Sequence, residues 1–320
     1  MSGPMMTHTY GFVGLGLMGQ PMCLNLAQKM GPSHRIKVFD VAEIAMDQLV
    51  EKFPDQIIRC SSTAEVANDA DVIFTMLPEG RNVREAYMGG PDSFCSVDLN
   101  NKMLVDCSTI DPATSMAIKH HVEEQFEMAA FYDASVSGGV IGAAKGSLSF
   151  FVGCRENDTN IQRIKPVLLH MGKCIIPCGG PSLGLAAKLC NNYLSGVLTI
   201  ANSETFNMGM RAGLDPRTLR QVIAAGSSQN TICDKFCPVP HVDPDSPSSH
   251  AYQGGFRVTL MRKDFGLALD MAKRVGATTV LSGVACAMYD ELSKEETYRD
   301  LDVRAVFRYL GGQEDWNPTS

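Results

Sequence analysis

Residues 9–19 read TYGFVGLGLMG and decide the fold class of the chain. A β-prone run leads into a glycine-rich turn, and residues 20–30 then carry apolar side chains at helical spacing. Glycines let the turn tighten and the backbone approach a pyrophosphate, while the helix N-terminus supplies free N–H groups. The stretch therefore predicts a strand–turn–helix unit that binds a dinucleotide. The expected contacts lie at Gly14, Gly16, Leu17, Met18 and Gly19.

An acidic residue ends the next β-prone run. Residues 36–40 read IKVFD, and Asp40 lies 21 residues after Gly19. A carboxylate at this place can accept hydrogen bonds from both ribose hydroxyls. The same charge would repel a 2′-phosphate, and the residue that follows is Val41, with no basic residue nearby. We therefore expect NAD rather than NADP. The alternative to a dinucleotide site as such is a chance glycine turn in an α/β protein.

Strands and helices continue to alternate through the first half of the chain. Further β-prone runs occupy residues 56–60, 71–77 and 102–106, and helical patterns occupy residues 62–68 and 111–128. This order predicts an α/β fold with a Rossmann-type, mostly parallel sheet, in which ligands bind beyond the carboxyl ends of the strands. Such ends carry Leu77, Pro78 and Thr109, for which an ordinary strand-terminating turn is the alternative.

A glycine-serine loop and a lysine follow. Residues 137–147 read SGGVIGAAKGS, which is too long and too glycine-rich for a tight hairpin. The exposed backbone N–H groups of such a loop can form a nest that binds a carboxylate, and a flexible loop without a ligand is the alternative.

Residues 179–192 read GGPSLGLAAKLCNN at the start of a long helical pattern. Residues four apart share a helix face, so Lys188 and Asn192 are expected to point into one space. A solvated surface charge is the alternative for Lys188, since lysines are rarely buried.

The second half is helical almost to its end. An irregular segment with four prolines, residues 226–255, interrupts it and is expected to be a pocket wall or lid. We therefore predict an NAD-binding Rossmann domain over residues 1–179. An all-α domain over residues 180–320 is expected to carry the substrate pocket and the oligomer contacts.

Composition excludes several classes of protein. With 45% hydrophobic residues, a net charge of −7 and no apolar run of membrane-spanning length, the 320-residue chain resembles neither a nucleic-acid binder nor a membrane protein. Its eleven cysteines are scattered without metal-ligand spacing, which favours free thiols and no metal site. Since the first ten residues, MSGPMMTHTY, contain no arginine and no amphipathic helical pattern, we expect no presequence, although a processed form is an alternative.

Six segments together resemble the β-hydroxyacid dehydrogenase family, over residues 12–310. They read GFVGLGLMG, SVSGGVIGAAKGSL, GLAAKLCNN, FNMGMRAGLDP, CPVPHV with the following AYQGGF, and LMRKDFGLA. The last three are closer to the family's hydroxyisobutyrate enzymes than to tartronate semialdehyde reductases or 6-phosphogluconate dehydrogenases. The resemblance implies NAD-dependent oxidation of a short hydroxy acid, a homodimer or homotetramer, and a mitochondrial matrix location, or a cytoplasmic one since no presequence is visible.

The resemblance also implies roles for single residues. Lys188 would be the catalytic lysine and Asn192 its substrate-contacting neighbour, and burial beside a cationic nicotinamide would lower the pKa of the lysine so that it can act as a base. The substrate carboxylate would bind Ser137, Gly138 and Gly139. The nicotinamide half of the cofactor would contact Leu77, Pro78, Asn82 and Thr109, and Lys263 would close over the cofactor. Asp264 and Phe256 would shape the substrate pocket.

Three departures from the family pattern leave the preferred substrate open. Ser135 stands where the family usually has proline, Ser182 where it often has glycine, and Leu185 where glutamine is frequent. Tartronate semialdehyde, 4-hydroxybutyrate, L-serine and L-threonate are therefore alternatives to 3-hydroxyisobutyrate. A binding protein that keeps the fold without the chemistry is a further alternative, which Lys188, Asn192 and the acidic charge balance disfavour.

Overall fold

Strands and helices alternate along the first part of the computed structural model, which describes residues 8–316. The strands are β1 (Thr9–Val13), β2 (Arg35–Phe39), β3 (Ile57–Arg59), β4 (Val72–Thr75), β5 (Met103–Asp106), β6 (Ala130–Ser137), β7 (Leu148–Val152) and β8 (Gly172–Pro177). The helices among them are α1 (Gly19–Met30), α2 (Glu43–Lys52), α3 (Thr63–Asp69), α4 (Gly80–Met88), α5 (Pro112–Gln125), α6 (Gly139–Ala144) and α7 (Thr159–Met171). The expectation about residues 1–7 lies outside the described residues.

After β8, the regular elements of the described chain are helices. They are α8 (Leu183–Arg211), α9 (Pro216–Ala225), α10 (Thr231–Lys235), α11 (Val258–Arg274), α12 (Ser282–Lys294) and α13 (Val306–Tyr309). By its internal contacts the chain divides into two compact units, Met1–Lys188 and Leu189–Ser320. None of the helices between residues 8 and 316 has both the length and the apolar character needed to cross a membrane.

The strands form one sheet in the order β3-β2-β1-β4-β5-β6-β7-β8. All neighbours pair in parallel except β6 and β7, which are antiparallel. The predicted class, a Rossmann-type mostly parallel sheet followed by an all-α part, is confirmed.

Both faces of the sheet are covered because successive strand residues point to opposite sides. On β4, Phe74 packs in a core with side chains of α1, α2 and α7, whereas Ile73 packs in a second core with side chains of α3, α4 and α5. β4 is therefore buried along its whole length, residues 72–75, instead of alternating between buried and exposed positions. In the helical unit, Phe265 of α11 and Tyr289 of α12 belong to a separate core.

Two segments that the sequence indicated to be irregular contain helical turns. The glycine-serine loop contains α6, which starts at Gly139; Gly138 and Gly139 adopt φ values of +137° and +64°. The proline-rich segment contains α10 and a 3₁₀ turn at Pro247–His250. Apolar periodicity does not reveal elements this short, because they offer fewer than two turns of repeat.

Candidate active site

Five parallel strands end at one edge of the sheet. They lie side by side in the order β2-β1-β4-β5-β6, so that their carboxyl ends share the edge where ligands of such sheets bind. The residues expected from the sequence follow these ends: Asp40 after β2, the turn at residues 14–19 after β1, Leu77 and Pro78 after β4 with Asn82 on α4, Thr109 after β5, and Ser137 with Gly138 and Gly139 at β6.

The glycine turn presents open backbone. A Cβ atom at Gly16 would meet no atom within 4 Å, and Gly16 and Leu17 are exposed. The helix α1 starts at Gly19 without a side-chain cap at Met18. The space above the turn can therefore accept a phosphate group next to the helix N-terminus, where N–H groups and the helix dipole favour an anion.

Asp40 holds the turn in place from the neighbouring strand. Its Oδ2 accepts a hydrogen bond from the N–H of Leu15 at 2.5 Å, and its Oδ1 accepts one from the N–H of Ala42 at 2.7 Å. Each carboxylate oxygen has a second lone pair for another donor. The same carboxylate can therefore anchor the glycine turn and accept a ribose hydroxyl.

A pocket of about 520 Å³ opens beside Asp40 and extends between α2 and the end of β3. It brings Arg59 to the site, whereas the sequence showed no basic residue near Asp40; the structure corrects that statement, because β3 pairs with β2. The guanidinium of Arg59 lies 3.0 Å from a carboxylate oxygen of Glu43 and 2.6 Å from one of Asp47. Its charge is therefore already matched by two acids.

A buried carboxyl group joins the ends of β4 and β5. Oδ1 of Asp106 accepts hydrogen bonds from the hydroxyls of Thr75 at 2.7 Å and Ser108 at 2.6 Å. The Ser108 oxygen in turn accepts the N–H of Leu77 at 2.8 Å. Asp106 is 1% exposed, and burial raises its pKa to about 6, against the hydrogen bonds from Ser108 and Thr75 that lower it.

Sequence reasoning missed this network, which fixes the two segments expected to contact the nicotinamide. The signal that could have found it is the run VDCST at residues 105–109, where an acid lies two residues before a serine at a buried strand end. Asn25 of α1 is a second missed residue. Its amide donates to the carbonyls of Ala143 at 2.9 Å and Ala144 at 3.1 Å, so that α1 holds α6.

The long helix α8 carries both Lys188 and Asn192, one turn apart. The Lys188 side chain is buried, with 8% of its surface exposed, which argues against the solvated alternative. Asn192 is buried as well, with 5% of its surface exposed.

In the helical unit, Asn192 is tied to Asp264 of α11. The Asn192 amide nitrogen donates to Oδ2 of Asp264 at 2.6 Å. Oδ1 of Asp264 has no hydrogen-bond partner of good geometry among the described residues, although Nζ of Lys263 lies 3.3 Å away. This distance is within ion-pair range, so we regard the two as an ion pair with poor hydrogen-bond alignment.

Phe256 follows a glycine turn that is also fixed by a buried acid. The N–H of Phe256 donates to Oδ2 of Asp302 at 2.7 Å, and Gly255 has φ +70°. A Cβ atom at Gly255 would lie 2.1 Å from that carboxylate, so that no other residue fits. Both oxygens of Asp302 also accept from Nη1 of Arg304, at 2.5 and 2.6 Å.

Sequence and structure comparisons agree with this architecture. Residues 9–180 match the family described as the NAD binding domain of 6-phosphogluconate dehydrogenase, and residues 183–310 match that described as the NAD-binding domain of NADP-dependent 3-hydroxyisobutyrate dehydrogenase. The mitochondrial 3-hydroxyisobutyrate dehydrogenase of Homo sapiens is 38% identical over 304 residues, which are 95% of this chain and 87% of that protein. The chain belongs to the 3-hydroxyisobutyrate dehydrogenase family.

Two further relatives widen the comparison. The 3-hydroxyisobutyrate dehydrogenase of Pseudomonas aeruginosa is 36% identical, over 95% of this chain and 98% of that protein. The 3-hydroxyisobutyrate dehydrogenase of Mycobacterium tuberculosis, solved with L-serine, is 35% identical with a TM-score of 0.85, over 95% of this chain and 99% of that one. The chain is thus an NAD-dependent hydroxyacid dehydrogenase. Its relatives occur both in mitochondria and in bacteria.

Proposed function

We propose that this enzyme oxidises (S)-3-hydroxyisobutyrate to methylmalonate semialdehyde with NAD, a step of valine catabolism. The observation that carries the proposal is the buried Lys188 at the start of α8, in a chain whose named relatives at 34–39% identity are 3-hydroxyisobutyrate dehydrogenases. The open backbone at Gly16 and the carboxylate of Asp40 fit a dinucleotide.

In the proposed mechanism the substrate carboxylate is held by Ser137 and the backbone of Gly138 and Gly139. Lys188 takes the proton of the substrate hydroxyl as the C–H bond breaks and the carbonyl forms. Bound NAD supplies the hydride acceptor. In this role the Lys188 amine must be neutral before it accepts the proton.

The polar cluster of the helical unit has a supporting role in this proposal. Asn192 orients the substrate without adding charge, and Asp264 fixes the Asn192 amide through the 2.6 Å bond between them. Phe256 contributes an apolar wall, and Lys263 contacts the cofactor. The nicotinamide side of the site is assigned to Leu77, Pro78, Asn82 and Thr109.

NAD is proposed to be preferred over NADP. Asp40 opposes a 2′-phosphate by charge, and Arg59, the base in the pocket, is matched by Glu43 and Asp47. The ratio of kcat/KM for NAD to kcat/KM for NADP tests this preference. A ratio below one would contradict it.

Replacement of Lys188 separates catalysis from binding. Lys188→Ala should lower kcat by more than tenfold and leave the dissociation constant of NADH, measured by fluorescence titration, within twofold of the wild type. Lys52→Ala, at an exposed position on the end of α2, is the matched control and should keep full activity. A Lys188→Ala enzyme that retains a tenth of the wild-type kcat would contradict the assigned role.

Substrate choice needs a kinetic panel, because kcat/KM ratios report differential binding of transition states. The panel contains (S)-3-hydroxyisobutyrate, L-serine, 4-hydroxybutyrate, L-threonate and tartronate semialdehyde, each with NAD or NADH. The first should give the highest kcat/KM. L-serine is the strongest competitor, because the Mycobacterium tuberculosis relative was solved with it.

We also propose that the enzyme is a homodimer or homotetramer in the mitochondrial matrix or the cytoplasm. The exposed apolar side chains of Leu194 and Met208 on α8, at 57% and 69% exposure, support self-association. Light scattering measures the assembly, and a monomeric mass at micromolar concentration would refute it.

A further inference from the structure

The side chain of Asp133 on strand β6 accepts hydrogen bonds from the first turn of α8. Its Oδ1 accepts the N–H of Ser182 at 2.8 Å, and its Oδ2 accepts the N–H of Leu185 at 2.9 Å. These N–H groups belong to the start of α8, whose first donors have no partner within the helix. A carboxylate there also complements the positive end of the helix dipole. Asp133 therefore caps α8 from another element of the fold.

Two glycines pack directly against this carboxylate, where a side chain would collide with it. A Cβ atom at Gly153 would lie 1.8 Å from Oδ1 of Asp133, and a Cβ atom at Gly184 would lie 2.8 Å from Oδ2. Asp133 is 2% exposed, and burial raises its pKa, against the two backbone hydrogen bonds that lower it. The contact is thus tightly packed and buried, which allows little displacement of the helix.

Ser135, two residues further along β6, makes the next contact. Its hydroxyl is fully buried and donates to the carbonyl oxygen of Gly184 at 3.0 Å. In an α-helix the carbonyl of residue 184 also accepts the N–H of residue 188. The Ser135 hydroxyl and the backbone of Lys188 therefore share one acceptor.

Similar lengths of chain separate these contacts from the two residues assigned to the chemistry. Ser137 follows Ser135 by two strand residues, which is about 6.6 Å along β6. Lys188 follows Gly184 by four helical residues, which is about 6 Å along α8. Residues 133, 135 and 137 also share one side of the strand. We propose that Asp133 and Ser135 are positioning residues, which fix the first turn of α8 on β6 and thereby place Lys188 beside Ser137.

This inference rests on the function proposed above, since it concerns the lysine and the serine assigned there to the proton and the carboxylate. Ser135→Ala removes one contact and Asp133→Asn weakens the other while keeping its shape. Ser93→Ala is the matched control, because Ser93 is also buried and donates to a backbone carbonyl, that of Gly90 at 2.7 Å, away from α8.

Four quantities are measured on each variant: kcat, KM, the dissociation constant of NADH, and amide hydrogen exchange of residues 183–192. Ser135→Ala should lower kcat about tenfold, because a misplacement of about 1 Å can slow a reaction by up to ~10²-fold. KM and NADH binding should stay within threefold, and exchange at the first turn of α8 should be faster. Asp133→Asn should act in the same direction. Ser93→Ala should change thermal stability only.

The outcomes separate this inference from the proposed function. Wild-type enzyme that does not oxidise 3-hydroxyisobutyrate refutes the proposed substrate, whereas the exchange measurement still tests the contact between β6 and α8. Unchanged exchange in Ser135→Ala would refute that contact as a restraint. Faster exchange with an unchanged kcat, or an equal loss of kcat in Ser93→Ala, would refute the positioning role.

Discussion

Gly16→Ala should weaken cofactor binding without destabilising the fold. Gly19→Ala should instead destabilise the fold. A Cβ atom at Gly16 would meet nothing within 4 Å, so that it would project into the space where the pyrophosphate binds. A Cβ atom at Gly19 would lie 1.9 Å from the carbonyl oxygen of Gly14. Two glycines of one turn thus have different physical reasons for lacking a side chain.

The magnitudes follow from these distances. Gly16→Ala should raise the dissociation constant of NADH at least tenfold, about 1.4 kcal/mol. Its melting temperature should not fall, because Gly→Ala at an unstrained position reduces the entropy of the unfolded chain. In Gly19→Ala the clash involves backbone, which cannot rotate away. We expect a loss of about 3 kcal/mol, within the range known for overpacked sites, which is roughly 6–12 °C for a domain of this size.

Thermal unfolding and NADH fluorescence titration, run on both variants, decide the matter. Gly283→Ala is the control, since a Cβ atom at that position of α12 also meets nothing within 4 Å. It should leave the dissociation constant of NADH unchanged and should not lower the melting temperature. Wild-type NADH affinity in Gly16→Ala would show that the cofactor does not cross this turn. An unchanged melting temperature in Gly19→Ala would refute the packing argument.

Three further predictions concern buried acids. Burial raises the pKa of Asp106 to about 6, so the folded protein keeps a proton that the unfolded chain loses from pH 4 upward. In urea unfolding, the free energy of unfolding of Asp106→Asn should therefore rise relative to that of the wild type by up to about 3 kcal/mol between pH 4 and 6. Above pH 6 the difference should stay constant. Arg304→Ala should cost about 3–5 kcal/mol in the same assay, because it leaves the buried Asp302 unpaired. Asp264→Ala should lower kcat in a steady-state assay, since it releases the amide of Asn192.

Each of these predictions has an exposed counterpart as its control. Asp98→Asn should keep the wild-type pH dependence, Arg257→Ala should change stability by less than about 1 kcal/mol, and Asp270→Ala on α11 should keep full turnover. A pH-independent difference between Asp106→Asn and wild type would contradict the linkage argument. The predictions for Arg304→Ala and Asp264→Ala would be contradicted if the exposed control variant had an equal effect.

The fold could be predicted from sequence because its signals are local. The glycines at 14, 16 and 19, the acid at residue 40 and the apolar strand runs each depend on neighbours within about twenty residues. These features indicated the order of strands and helices and the edge of the sheet that binds ligands. The burial of Lys188 was expected only from what surrounds it along the chain.

The supporting residues could not be predicted because their partners are distant in sequence. Asp133 accepts hydrogen bonds from residues 182 and 185, and Asn25 donates to residues 143 and 144. A buried acid looks like any other acid until the fold shows its neighbours. The position of Arg59 could not be predicted for the same reason. Pairing of β3 with β2 places this basic residue in the pocket beside Asp40, although it is distant in sequence.

The three departures from the family pattern acquire a common physical meaning in the structure. Ser182 adopts φ +59°, where a side chain costs roughly 1–2 kcal/mol relative to glycine, and its N–H is held by Asp133. Leu185 is fully buried in the core of the sheet domain, and the Ser135 hydroxyl bonds the same helical turn. All three therefore act first on the helix that carries Lys188. We expect that replacing them by the family's residues would primarily change the position of Lys188 relative to the substrate. An effect on substrate preference would be secondary to that change.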